Sequence, residues 1–63
     1  MKETEQIYAR AFSTAAGRAV LAHLRHITIE RVLGPDASDA QLRWLEAQRQ
    51  LVHQIENIIS RGT

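Results

Sequence analysis

Two rows of apolar residues, each with a spacing of seven, run side by side between residues 39 and 61. One row is Leu45, Val52 and Ile59, and the other is Trp44, Leu51 and Ile58. Such spacing predicts an amphipathic helix over 39–61 with a broad apolar seam. Ser38 and Gln41 have the capping-box spacing that marks a helix start, and Gly62 marks its end. The seam either packs on the chain's own helices or partly faces another chain.

A second helix is predicted over 15–33. The residues on its packing face are Ala16, Val20, Leu24, Ile27 and Arg31, with Leu21 and Thr28 beside them. Thr14 is placed as the N-cap, and Gly34-Pro35 is a helix-stop signal. Gly17 lowers the helix propensity, so it is either tolerated near a frayed first turn or placed where another backbone approaches closely.

A short first helix is predicted over 2–12. The apolar residues that share one of its faces are Ile7, Tyr8, Ala11 and Phe12. A helix of this length is marginal in isolation, so we expect it either to dock on the rest of the chain or to extend as an arm.

These segments, together with a composition rich in helix-forming residues, predict an all-α fold. We expect one domain over residues 1–63, an antiparallel helical hairpin of the second and third helices with a short N-terminal helix or arm. A chain this small has a core that contributes no more than about 3–5 kcal/mol net. Cysteine is absent, so no disulfide can add to it. The sequence therefore predicts association, with itself or with a partner.

Charge is divided between the two halves of the chain, although the formal net charge is only +1. Residues 10–31 carry a net charge of +3, and residues 36–56 carry −2. This asymmetry fits either attraction between the halves within one fold or a head-to-tail contact between copies. There is only one lysine, so we do not expect nucleic acid as a specific ligand.

The sequence leads us to expect neither a membrane span nor an export signal. No segment has the roughly 20 mostly apolar residues that a transmembrane helix needs. The N-terminal residues 1–5 lack the apolar core of a signal peptide. We therefore expect cytosolic synthesis and no membrane partner.

Few residues are candidates for catalysis or metal binding. His23, His26 and Glu30 have a helical spacing that can bind a metal, but no fourth ligand converges with them, so solvated histidines are the preferred interpretation. Nucleophilic catalysis needs a nucleophile, a base and an orienting group in a pocket that excludes water. The serines lie at predicted caps and termini. We therefore expect no catalytic residue, no metal site and no cofactor, and interpret the chain as a binding protein rather than an enzyme.

Aromatic and arginine side chains are the preferred contact residues of protein interfaces. The predicted interface residues are Trp44, Gln48, Arg49, Leu51, Arg18 and Arg25. The predicted helix-packing residues are Gly17, Val20, Leu21, Leu24, Leu45, Val52, Ile55 and Ile59. The alternative for Trp44 is a position in the core, and the alternative for the arginines is a solvated position on the surface.

Two stretches, taken in order, resemble a known family. Residues 12–24 have the pattern Phe-x-Thr-x-x-Gly-x-x-Val-Leu-x-x-Leu, and residues 46–55 have Glu-small-x-Arg followed by apolar residues. Over about residues 8–59 the chain resembles the small structural-module proteins of short-tailed (podovirus-type) bacteriophages and related prophages. Family members often carry Gly at the position of Ala47, which is a conservative difference in a helix.

The resemblance implies a virion component rather than an enzyme, present in multiple copies near the portal and tail as a plug, an adaptor or a stabiliser. Portal or tail proteins and further copies of the chain are the partners it implies. Arg49 matches the arginine of the family pattern, where it would pair with an acidic residue within or between chains. Two alternatives stay open: a regulatory module that binds a host or phage protein through the third helix, and a weak nucleic-acid-binding protein.

Overall fold

The computed structural model describes residues 2–63, which form three helices: α1 (Lys2–Ala11), α2 (Ala15–Ile27) and α3 (Asp39–Arg61). The described residues contain no strand, so the all-α prediction is confirmed. Helix α1 is docked on α3 rather than extended, and it packs on α3 more extensively than α2 does. None of the helices described is long and apolar enough to cross a membrane.

Local capping signals fix both ends of α3. The backbone N–H of Gln41 donates to Ser38 Oγ at 3.1 Å, and the Ser38 N–H donates to Gln41 Oε1 at 2.8 Å. This reciprocal pair satisfies two backbone donors that the first helical turn leaves without partners. At the other end, the Gly62 N–H donates to the carbonyl oxygens of Ile58 and Ile59. The observed bounds of α3 are those that the sequence predicts.

Helix α2 begins as expected but ends earlier than the sequence indicates. Thr14 Oγ1 accepts from the Gly17 N–H at 3.0 Å, which caps the start. The prediction that the helix runs to residue 33 is wrong, because α2 stops at Ile27 and a turn follows. Residues 27–29 are all β-branched and therefore weak helix formers. The Gly34-Pro35 stop signal lies beyond the true end, in the linker.

Two glycines allow the helices to approach closely. A Cβ on Gly17 would lie 2.1 Å from the Ala11 carbonyl oxygen, so the α1–α2 corner requires the absence of a side chain. A Cβ on Gly62 would lie 2.1 Å from the Glu5 carbonyl oxygen and 3.0 Å from Ala9 Cβ, where α1 meets the end of α3. Gly62 has a right-handed conformation (φ −88°, ψ −2°), so space rather than backbone freedom explains the glycine.

The core is small and the molecule is flat. Among the described hydrophobic residues only Leu45 and Val52, at 2% and 3% exposure, are fully buried. The Cα atoms span 42 × 24 × 11 Å with a radius of gyration of 13.8 Å, against about 10.6 Å for a compact domain of this length. The accessible surface is 4844 Å², against about 4,100 Å² for a folded monomer of this mass. The chain by itself therefore leaves more surface exposed than a typical domain does.

Candidate functional site

Arg49 lies against the turn that follows α2. Its Nε donates to the Thr28 carbonyl oxygen at 3.0 Å, and its guanidinium also donates to the Arg31 carbonyl oxygen. Thr28 is buried, and its hydroxyl donates to the Leu24 carbonyl oxygen at 2.6 Å. Arg49 thus binds two carbonyl oxygens of the segment that follows α2, and one of them, that of Thr28, also accepts from the Arg31 N–H at 3.3 Å. The acidic partner implied for it is Glu46 of the same chain, at 3.6 Å.

Arg25 pairs with Glu56 across α2 and α3. The guanidinium donates a hydrogen bond to the Glu56 carboxylate, which also lies 3.6 Å from His53 Nδ1. The hydrogen bond to Glu56 and the negative charge of that carboxylate raise the pKa of Arg25 above its ordinary value. Arg18 donates to the Ser13 carbonyl oxygen at the α1–α2 corner. All three arginines of the predicted interface therefore make contacts within the chain.

An exposed apolar surface runs along the N-terminal half of α3. Trp44 is 52% exposed and Leu51 is 58% exposed. Ala40 and Ala47 lie beside them at helical spacing and are exposed as well. We call these four residues the α3 stripe, and none of them is charged.

Arg31 and Gln48 are among the residues beside the α3 stripe. The Arg31 guanidinium lies 5.6 Å from the centre of the Trp44 ring, within the range of a cation–π contact. Gln48 is half-buried at the edge of the stripe.

The predicted packing residues divide into three groups. Leu45 and Val52 are buried, and Gly17 lies in the tight corner described above. Half-buried positions are occupied by Leu21, Leu24, Ile55 and Ile59. Val20 was expected to pack, but it is 53% exposed, because the flank of α2 on which it lies faces solvent rather than α3.

The histidines do not form a metal site with neighbouring acids. His26 Nδ1 lies 3.6 Å from Glu30, but no group of three or more His, Cys, Asp or Glu among residues 2–63 is arranged to hold a metal ion. An open groove of about 460 Å³ lies between α1 and α3, lined by Thr4, Glu5, Gln50, His53, Gln54, Asn57, Ile58 and Arg61. Within the described part of the chain, every buried side-chain nitrogen and oxygen has a hydrogen-bond partner.

Reasoning from sequence missed two parts of this arrangement. Ala40 and Ala47 were not assigned to a contact surface, although their spacing of seven, parallel to Trp44 and Leu51, was visible in the sequence. The partner of Arg25 was also missed, because Glu56 lies 31 residues away and no local pattern connects the two.

Comparison with known families gives one match. The family model described as Bbp19-like phage protein matches residues 8–60. Searches of curated proteins and of solved structures return no match. The matched range contains both stretches that carry the resemblance, the C-terminal end of α1, all of α2 and nearly all of α3. The chain belongs to the family of Bbp19-like phage proteins.

Proposed function

We propose that this phage protein is a structural component of the phage particle and acts by protein–protein contact rather than by catalysis. It serves near the portal and tail, as a plug, an adaptor or a stabiliser, and it is present in multiple copies. Membership of a phage protein family supports the particle setting.

The observation that carries the proposal is the incompleteness of the chain's own packing. Stable domains usually bury the apolar faces of their elements between at least two packed layers. Here the Cα atoms span only 11 Å in the thinnest direction. Large apolar side chains on all three helices and the linker remain exposed, namely Ile7, Val20, Ile27, Val32, Leu42, Trp44 and Leu51. A subunit that is completed by its neighbours in an assembly explains this surface.

The two alternatives predict different partners. A regulatory module would bind one host or phage protein through the same apolar surface. A nucleic-acid-binding protein would use the arginines of residues 10–31. Three of these four arginines already have contacts in the chain: Arg18 with Ser13, Arg25 with Glu56 and Arg31 with Trp44. The engaged guanidiniums favour the protein-binding function over the nucleic-acid one.

An affinity-tagged copy of the chain, expressed in cells that are producing the phage, tests the proposal. Proteins recovered with it are quantified against the same tagged chain in cells without the phage. We expect enrichment of portal or tail proteins. Enrichment of a single host enzyme instead would favour the regulatory alternative. Recovery that depends on DNA and falls steeply with salt would favour nucleic-acid binding.

A further inference from the structure

The α3 stripe contains the exposed part of an apolar row on α3. The C-terminal end of the same row is partly covered by the chain itself. Trp44, Leu51 and Ile58 share one side of α3 because they are spaced by seven. Ile58 is half-buried near the end of α3 where α1 docks, whereas Trp44 and Leu51 are exposed. Helix α1 has 10 residues and α3 has 23, so α1 spans less than half of α3. Over the remaining half, the segment after α2 contacts Arg49 and Leu45 is buried, whereas Trp44 and Leu51 on the stripe stay more than half exposed.

The excess surface of the whole chain is comparable with the area that one partner buries in a specific interface. The accessible surface of 4844 Å² exceeds the value typical of a folded monomer of this mass by roughly 750 Å². A standard protein–protein interface buries about 800 Å² on each partner. Burial in one interface of ordinary size would therefore lower the accessible surface of the chain to the value typical of a folded monomer of this mass.

The sequence of side chains along the stripe is complementary to itself. Large and small residues alternate in the order Ala40, Trp44, Ala47, Leu51. If two α3 helices lie antiparallel about an axis between residues 47 and 48, Trp44 faces the partner's Leu51. Ala40 then faces the partner's Ile55. The alanines at positions 40 and 47 let the two helices approach closely on either side of the Trp44–Leu51 contact.

The charges near the stripe also favour a second copy. The four residues of the stripe are uncharged, so burying them removes no ion of the stripe from water, and the Arg31 guanidinium lies beside them, 5.6 Å from the centre of the Trp44 ring. Arg43 borders the stripe, and the antiparallel arrangement places it near the partner's Gln50 and Gln54, which are neutral and can accept its hydrogen bonds. No like charges are opposed across the axis.

We propose that two copies of the chain pair through the α3 stripe, with their α3 helices antiparallel about a two-fold axis that passes between Ala47 and Gln48. The pairing deepens the proposed function and rests on it, because a subunit present in multiple copies needs a contact with itself. The pair is the building unit, and its remaining exposed apolar residues are left for other virion proteins.

The test uses Ala47→Glu and a matched control, Ala22→Glu. Both alanines are exposed on helices, so each glutamate is compatible with the folded monomer. Only Ala47→Glu places two carboxylates next to the two-fold axis. Ala22 lies outside the stripe and carries the same change in charge.

Two readouts are measured over a concentration series, the mass by sedimentation and the emission of Trp44, the only tryptophan in the chain. The wild type and Ala22→Glu should double in mass while the tryptophan emission shifts to the blue. Ala47→Glu should keep its helical circular dichroism and dissociate at least about 30-fold more readily, since like charges at an interface cost several kcal/mol.

Several outcomes would overturn the pairing. A wild type that stays monomeric with constant tryptophan emission excludes it, even if the chain is found in particles, so the proposed function would survive alone. A dimer that forms equally well with Ala47→Glu would place the contact on another face. If Ala47→Glu loses its helical signal while Ala22→Glu keeps it, a thiol cross-linking experiment decides: Ala47→Cys should be captured as a dimer by a short bis-maleimide and Ala22→Cys should not, and equal capture would refute the arrangement.

Discussion

Replacing Gly17 by alanine sets two physical effects against each other. Alanine in a helix is favoured over glycine by about 1 kcal/mol, so local propensity predicts a more stable protein. In the structure, however, the new Cβ would lie 2.1 Å from the Ala11 carbonyl oxygen and 2.8 Å from Phe12 Cα, whereas ordinary contacts begin at 3.4 Å. Both neighbours are backbone atoms, so the corner between α1 and α2 must open.

The expected result is a net loss of stability. Overpacking typically costs about 1–3 kcal/mol, and contacts as short as these belong at the upper end of that range. After the gain in propensity, we expect the free energy of unfolding to fall by about 1–2 kcal/mol. In a domain of this size each kcal/mol shifts the midpoint of thermal unfolding by about 4–8 °C.

The assay is urea and thermal unfolding followed by circular dichroism, with all variants at one protein concentration. Gly34→Ala is the matched control, because a Cβ at that position meets nothing within 4 Å and its φ is not positive. This control should be neutral or more stable by about 0.4–1 kcal/mol, through a less flexible unfolded chain. A Gly17→Ala protein as stable as the wild type, or more stable, would refute the close corner.

Three further substitutions test the contacts that hold the helices together. Arg49→Ala should lower the free energy of unfolding by about 1.5 kcal/mol. This value is at the low end for hydrogen bonds to charged groups, because the Arg49 side chain is partly exposed. An unchanged urea midpoint would contradict the role assigned to Arg49. Leu45→Ala should cost about 2–5 kcal/mol and unfold much of the protein, whereas Leu42→Ala, at a position 49% exposed, should have a far smaller effect. Gly62→Ala should displace α1 from α3, seen as faster amide hydrogen exchange in α1 alone, and exchange that is unchanged would count against the close approach.

The parts of the fold that could be predicted are those determined by neighbouring residues. The bounds of α3 follow from the Ser38–Gln41 capping box and from Gly62, signals that lie within a few residues of each helix end. The start of α2 at Thr14 is equally local. The family resemblance was also visible in two short stretches of sequence.

The end of α2 could not be predicted because it depends on a distant contact. Local signals place the stop at Gly34-Pro35, but Arg49, which is 21 residues from Thr28 in sequence, bonds the carbonyl oxygens of the earlier turn. The free energy of that contact, together with the β-branched residues 27–29, outweighs the continuation of the helix. The residue pattern of α2 alone cannot predict a contact with an arginine on α3.

The exposed surface was only partly predictable for a related reason. Heptad spacing identifies the row that contains Trp44 and Leu51, but it does not say how much of that row the chain covers. How much of the row is covered depends on where α1 docks on α3. Helix α1 comes close to the end of α3 at Gly62, a residue that the sequence pattern identifies only as a helix end. The partner of Arg25 was unpredictable as well, because Arg25 meets Glu56, 31 residues away, only after the helices pack.

The measurement that tests the proposed particle function most directly is the amount of this chain in purified phage particles. Particles, heads without tails and free tails are separated on gradients, and the chain is quantified by mass spectrometry against the portal protein. The account predicts a fixed ratio to the portal in complete particles, with the chain retained wherever the portal–tail region is retained. A chain that is abundant in the lysate but absent from the particles would contradict it.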